Sequence, residues 1–381
     1  MNICVIGWYG SETLGDRAIL DGIIYVFSGI SRILNISIGA LYPVLTERTL
    51  YEDGDFYARH CDELNMHCFN VKEPSELQDH ICQADIVIMG GGPLMDLDEL
   101  YIIQHAFKSA KKEGIPTALV GCGYGPLIRK EYIKCVHNIM KHSDLVIMRS
   151  EICKMNMEKL RGKKVFALMD PAELSVIEYA ERLSKMTLAP NKKGWVMNIR
   201  DLGYVYGKQY ENNCIEMLCV KKVLEQIGEL VLMPMHTFSV GGDDRFIQSK
   251  LARQFEWEKI SAIQKPLSLK EAYELVYNSE GCIGMRYHSI VFQTYLNGNN
   301  YAIDYTDSKS GKIKAFFDRI DQEKFYTQRY YSIFESENTF FNIEDTKKRF
   351  IYDLDIAKQS LYQYRKFISN ILRGKNKPEF T

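Results

Sequence analysis

At 381 residues the chain is too long for one ordinary hydrophobic core, so two domains are expected. Its 48 basic and 49 acidic residues leave a formal charge of -1, which excludes a global basic field for nucleic acid, so any anion site must be local. The composition, 46% hydrophobic and 25% charged, is that of a soluble globular protein, and the apolar runs fall far short of a bilayer span.

Residues 1–7, Met-Asn-Ile-Cys-Val-Ile-Gly, read as a buried strand running into a glycine, without the basic region or cleavage site of a signal peptide. A helix is expected over 16–27 and a strand over 34–40. The run 84–89 is a further strand and ends on Gly90-Gly91-Gly92. Residues 100–113 read as a helix, 116–121 as a strand ending in a second glycine cluster, and 145–149 as another strand. Continuous apolar strands alternating with helices predict a parallel sheet covered on both faces, here a first domain over 1–170. The polar stretch 171–193 carries a helical pattern, ends in Pro190-Asn191-Lys192-Lys193, and holds the expected boundary.

The alternation restarts in a second domain over 191–343. Strands are expected at 194–199, 230–234, 281–285 and 300–305, and helices at 212–228, 268–277 and 288–297. Ser268 with Glu271 three residues on forms a capping-box signature. The tail, 344–381, predicts a helix over 344–372 that packs on a domain through Phe350, Leu354, Leu361, Tyr364 and Ile368. Its basic end, Arg373-Gly374-Lys375-Asn376-Lys377, has a second reading as a contact with an anionic membrane surface. Ten cysteines include no CxxC pair, and Cys4, Cys122 and Cys282 lie in apolar strand runs. This predicts a reducing cytoplasm and neither zinc nor disulfides. The fold class is therefore α/β: two Rossmann-like domains facing a cleft, with ligands beyond the carboxyl ends of the strands.

The runs that carry chemistry sit at those ends. Gly7-Trp8-Tyr9-Gly10-Ser11-Glu12-Thr13-Leu14-Gly15-Asp16 joins the first strand to the first helix; free N–H groups there favour an anion, and Asp16 reads either as a functional acid or as the helix cap. Gly90-Gly91-Gly92-Pro93-Leu94-Met95-Asp96 implies a backbone that something approaches closely, with Asp96 and Asp98 either functional or ordinary helix-start acids. Gly121-Cys122-Gly123-Tyr124-Gly125 reads equally as a turn and as a substrate contact. Arg200, in Asn198-Ile199-Arg200-Asp201, either points into the cleft or pairs with Asp201. His236 heads a polar loop tip and reads either as functional or as structural, and the acids Asp243-Asp244 beyond it read either as a solvated turn or as functional.

The run with most chemistry is Gly284-Met285-Arg286-Tyr287-His288-Ser289, followed by Tyr305-Thr306-Asp307-Ser308-Lys309. It brings a guanidinium fork, an imidazole and an ammonium to a strand end, equipment for a small, highly charged anion. The alternative is a surface Arg and a packed His.

Taken in order, these runs resemble the polysaccharide pyruvyl transferase family over about residues 3–311. The resemblance rests on GWYGSETLGDRAIL, ADIVIMGGGPLMD, GCGYGPL, NIRD and GCIGMRYHSIVFQTYLNGNNYAIDYTDSK. It implies two Rossmann-like domains similar to GT-B glycosyltransferases. It implies phosphoenolpyruvate as donor, with no further cofactor and no metal, and a sugar hydroxyl pair as acceptor on a sugar, a nucleotide-sugar or a lipid-linked glycan. The product would be a pyruvate ketal on a surface glycan or its precursor, made in the cytoplasm or at the inner face of the membrane.

By the same resemblance Arg286 and His288 match a donor-binding Arg-x-His, with Tyr287 where the family more often has Leu. Lys309 matches a later Lys, and Arg200 a basic residue of the second domain. Gly10, Thr13, Gly91, Gly92, Tyr124 and His236 would meet the acceptor or shape its loops, and His288, Asp16 and Asp96 are the catalytic candidates. In the opening loop Thr13 stands where the family usually has Asn, and Arg17 where it has Glu. Two rival readings share the fold. A nucleotide-sugar glycosyltransferase would need Glu271 or Glu274 on a ribose, and a non-catalytic glycan-binding relative would need neither.

Overall fold

The computed structural model describes residues 1–374 apart from 12, 161–162, 187–193, 211, 256–258, 307–310, 322, 336–339 and 344–347. The chain divides into two compact units. The first comprises Met1–Glu12, Asp16–Ser175 and Asp353–Thr381; the second comprises Thr13–Gly15 and Val176–Tyr352.

The first unit is built on a parallel sheet. Its strands are β1 (Asn2–Ile6), β2 (Ile33–Ala40), β3 (Glu63–Asn70), β4 (Ile86–Gly90), β5 (Pro93–Leu94), β6 (Thr117–Tyr124), β7 (Leu145–Met148) and β8 (Phe166–Ala167). They run in the order β3-β2-β1-β4-β6-β7-β8, with β5 added to β6. The inner strands β1, β4, β6 and β7 are apolar along nearly their whole length because helices cover both faces. One shared core runs from Cys4 and Ile6 through Val87, Met89 and Leu119 to Phe107 and Val136 on the covering helices.

The second unit repeats the scheme with β9 (Trp195–Met197), β10 (Leu230–Leu232), β11 (Ile260–Ala262), β12 (Gly281–Gly284), β13 (Asn300–Asp304) and β14 (Tyr330–Ser332). Their order is β11-β10-β9-β12-β13-β14, again parallel throughout. In each sheet the strand order reverses beside the first strand, at β1/β4 and at β9/β12. Such reversals open a crevice at the carboxyl edge, where ligands bind in sheets of this kind.

Two expectations need correction. The run Gly121-Cys122-Gly123-Tyr124 is strand rather than loop: β6 continues to Tyr124 through an irregularity between Val120 and Cys122, and Gly123 and Tyr124 pair with β5. The boundary between the units lies at Ser175/Val176, within the helix Pro171–Met186 and within the stretch 171–193. Residues 190–193 lie outside the described residues. The tail helix starts at Leu354 and not at 344, and it belongs to the first unit. There Tyr364 Oη donates to Met169 O at 2.9 Å, and Arg365 donates to the carbonyls of Tyr25 and Val26. Gly29 admits this packing, since a Cβ there would stand 2.1 Å from Arg365 Nε. The basic residues 375–377 lie outside the described residues.

Candidate functional site

The reversal of the second sheet gathers the charged side chains. Beyond β9, Asn198 extends the ladder by donating its N–H to Ile283 O on β12, and its side chain is fully buried. Beyond β12, Arg286 caps the helix Tyr287–Leu296, and its backbone N–H donates to Asn198 Oδ1 at 3.1 Å. The Arg286 side chain turns to Asp244, the first residue of the helix Asp244–Ala252. Nε lies 2.9 Å from each carboxylate oxygen and Nη2 lies 2.7 Å from Oδ1. Asp244 is buried and also accepts from Asn198 Nδ2 and from the backbone N–H groups of Met235 and His236.

Arg200 reaches the same place from β9. Its Nη1 donates to Tyr305 Oη at 2.7 Å and its Nη2 to Gly241 O at 3.2 Å. Arg286 Nη2 lies 3.5 Å from that same Gly241 O and 2.9 Å from Gly242 O. Two guanidiniums thus converge on one carbonyl oxygen. Arg200 Nε is buried without a hydrogen-bond partner among the described residues. Asp244 neutralises one of the two cations, and the adjacent Asp243 is paired with Arg245 at 2.6 Å. The local excess is positive in a half-buried setting where charge interactions outweigh those in water.

His236 follows β10 and is 3% exposed. Its Nε2 lies 2.6 Å from Val240 O, so in the neutral ring this nitrogen carries the proton. Burial first, and the Arg286 guanidinium next, hold its pKa below the ordinary value. Nδ1 is then a buried acceptor without a partner among the described residues. The loop that meets both guanidiniums and the His236 ring needs glycine. Gly241 has φ +95°, and a Cβ on it would stand 2.9 Å from His236 Nε2.

Thr13, expected on the first domain, counts with the second unit. Thr13 bridges to His236, Leu14 N–H donates to Met235 O at 3.0 Å, and Gly15 lies under the His288 ring, where a Cβ would stand 2.0 Å from Nδ1. The rings of Tyr287 and His288 meet edge to face at 5.0 Å. The structure therefore brings together Arg200, Arg286, His236, His288, Tyr287 and Thr13 in one unit. Lys309 lies outside the described residues.

The first unit presents a different picture at β1/β4. Gly92 has φ +70°, and a Cβ on it would stand 1.7 Å from Trp8 Cδ1; a Cβ on Gly90 would meet Ile23 at 2.2 Å. The glycine run makes room for the protein's own side chains, and Trp8 Nε1 donates to Pro93 O. Gly91 faces Ile19, and Gly10 lies against the backbone of Tyr42. Asp96 accepts from the N–H groups of Ile128 and Arg129, so its carboxylate anchors that loop, and Asp98 accepts from Tyr132 Oη. Asp16 does not cap its helix, which starts two residues earlier at Leu14; it is an acid of the first turn. Burial first, and Asp16 next, push the buried Tyr9 hydroxyl well above its usual pKa. Tyr124 is half-buried at the end of β6, its hydroxyl raised by burial and then by Asp96. Arg17 is buried against Asp53 and Glu52, so the cation in this position has its acids supplied by the following helix, Pro43–Ala58.

Sequence reasoning missed Asp244 and Asn198. Among the described residues no cluster of His, Cys, Asp or Glu could hold a metal ion, and no helix is long and apolar enough to cross a membrane.

A family model for polysaccharide pyruvyl transferase matches residues 14–308. The chain belongs to the polysaccharide pyruvyl transferase family. No curated protein matches it. Among solved structures it is similar to the UDP-GlcNAc 2-epimerase of Methanocaldococcus jannaschii in complex with UDP-GlcNAc and UDP, with 13% identity, TM-score 0.55, and 97% of this chain and 100% of that one covered. The S. aureus MnaA–UDP complex gives 13% identity and TM-score 0.53 over 98% and 90%. Anabaena Alr3699/HepE with UDP-glucose gives 10% and 0.53 over 98% of each chain. At these identities the likeness concerns the fold, which is GT-B-like with two Rossmann-like domains.

Proposed function

We propose that this member of the family transfers the enolpyruvyl group of phosphoenolpyruvate to a pair of sugar hydroxyls, forming a pyruvate ketal on a glycan or its precursor. The observation that carries this reading is the convergence of Arg200 and Arg286 on one carbonyl oxygen, with a single buried carboxylate paired to Arg286, at the strand-order reversal. A three-carbon donor bearing a carboxylate and a phosphate supplies the oxygens that such a pair of forks is shaped to hold.

A proton adds to the donor's methylene carbon, leaving an oxocarbenium-like centre at C2. One sugar oxygen bonds to C2, the C2–O bond to phosphate breaks, and the second sugar oxygen closes the ring. Of the two hydroxyl protons released, one replaces the proton given to the methylene and the other leaves with phosphate. Fixed guanidiniums stabilise the charge leaving on phosphate without reorganising. His288, on the first turn of the helix that follows Arg286, is the proton donor in this reading. The acceptor is a sugar, a nucleotide-sugar or a lipid-linked glycan, met in the cytoplasm or at the membrane's inner face.

The nucleotide-sugar alternative needs a carboxylate for a ribose. Glu271 closes the capping box with Ser268 and pairs with Lys265 at 2.6 Å, and Glu274 accepts from Tyr179 Oη at 3.0 Å. Both are already engaged, which favours the smaller donor. The test is incubation with phosphoenolpyruvate and a panel of sugar acceptors, followed by phosphate release and the mass of the product. Phosphate release matched by a pyruvyl mass gain is expected. Consumption of a nucleotide-sugar with phosphoenolpyruvate untouched overturns the reading.

A further inference from the structure

Resting on the donor reading above, we propose that Asp244 is a positioning residue for the donor: it sets the orientation of Arg286 and decides which edge of that guanidinium faces the anion. Read as sequence, Asp243-Asp244 is a pair of turn acids ahead of a helix, and only Asp243 behaves as one. Asp243 caps the helix by accepting from Arg245 N–H and pairs with the Arg245 side chain. Asp244 is 1% exposed and has both carboxylate oxygens filled. Oδ1 takes Arg286 Nε and Nη2; Oδ2 takes Arg286 Nε, Asn198 Nδ2 and the N–H groups of Met235 and His236.

This arrangement constrains Arg286 in three ways. The carboxylate grips the guanidinium from the side, through Nε and Nη2. Gly242 O takes Nη2 as well, at 2.9 Å. Asn198 bridges the pair, donating to Asp244 Oδ2 and accepting the backbone N–H of Arg286. The nitrogen left without a protein partner among the described residues is Nη1, and the side chain keeps 18% of its surface exposed. Three elements therefore fix one planar cation: β9 through Asn198, the segment after β10 through Met235 and His236, and the helix Asp244–Ala252. A carboxylate that only balanced charge would not need one oxygen held by two backbone N–H groups and an amide while the other is given wholly to the guanidinium. Anchoring Oδ2 in this way restricts the orientation of the carboxylate, and through it that of the fork. Preorganisation of this kind improves affinity by removing the cost of ordering a long side chain when the ligand arrives.

The test is a double-mutant cycle read by calorimetric titration of phosphoenolpyruvate, with folding followed by circular dichroism and melting. Asp244→Asn should weaken donor binding about tenfold or more, because an amide presents either N–H groups to the guanidinium or N–H groups to the backbone donors. In an Arg286→Ala background the same change should weaken binding by less than about twofold, since a residue that acts through Arg286 has nothing left to position. Additive losses, or unchanged affinity in Asp244→Asn, overturn the proposal. Should Asp244→Asn not fold, Asn198→Ala runs in the same cycle with the same expected non-additivity, and additivity there overturns it equally. Failure of the underlying reading has a separate signature: Arg286→Ala alone then leaves phosphoenolpyruvate binding unchanged.

Discussion

The two sheets of this chain share a strand order and differ in what fills the crevice where that order reverses. At β1/β4 three consecutive glycines admit Trp8 and Ile23, and the nearby acid Asp96 holds a loop. At β9/β12 the corresponding place holds two arginines, a buried carboxylate and a buried imidazole. Topology supplies a crevice in both units, while only one lines it with charge suited to an anion. A glycine cluster at a strand end records close approach by something, and in the first unit that something is the protein itself.

The largest effect expected from this contrast is on the second unit. Arg286→Ala should lower affinity for phosphoenolpyruvate by roughly a hundredfold or more, because it removes one fork and leaves Asp244 buried without its cation. Calorimetry checks it, and an affinity within a factor of about two of the parent would erase the distinction between the crevices. Next in size, Gly92→Ala should destabilise the protein by about 1–3 kcal/mol, through the positive φ and the collision with Trp8. The measurement is denaturant unfolding together with donor affinity, and an undiminished stability would mean that Trp8 has room to move aside. Smaller still, Asp96→Asn should cost about 1 kcal/mol from the loop it anchors and leave donor affinity within about twofold. A large loss of turnover at full stability would return Asp96 to the catalytic candidates.

Much of this arrangement could be read before the structure. Inner strands such as β1 and β4 are covered on both faces, so their unbroken apolar runs reveal a parallel sheet. The capping box at Ser268 and Glu271 is a purely local signal and forms as the spacing predicts. What escaped depends on neighbours distant in sequence. Strand β3 lies at the sheet edge, so Glu63–Asn70 alternates exposed and half-buried residues and lacks an apolar run. Asp244 resembles a solvated turn acid until Arg286, 42 residues later, closes on it. Arg17 is buried, and the Asp53 and Glu52 that pair with it sit on another helix. The occupant of a glycine gap, Trp8, cannot be named from the glycines alone.

The smallest expected effect probes the imidazole that only the second crevice contains. Burial first, and Arg286 next, hold His236 below its ordinary pKa in the folded protein. As pH falls, the unfolded chain takes up the proton near pH 6.5 while the folded one resists, so stability is lost from about that pH downward to the native value and is unaffected above it. The melting temperature should therefore drop as pH falls below about 6.5, and His236→Gln should flatten part of that slope. Bound phosphoenolpyruvate brings negative charge to the guanidinium that depresses the imidazole, so saturating donor should flatten the slope in the parent protein as well. An identical slope in His236→Gln would show that the acid sensitivity arises elsewhere. A slope unchanged by donor in the parent would instead place the anion too far from His236 to offset Arg286, and would separate the imidazole from the donor site.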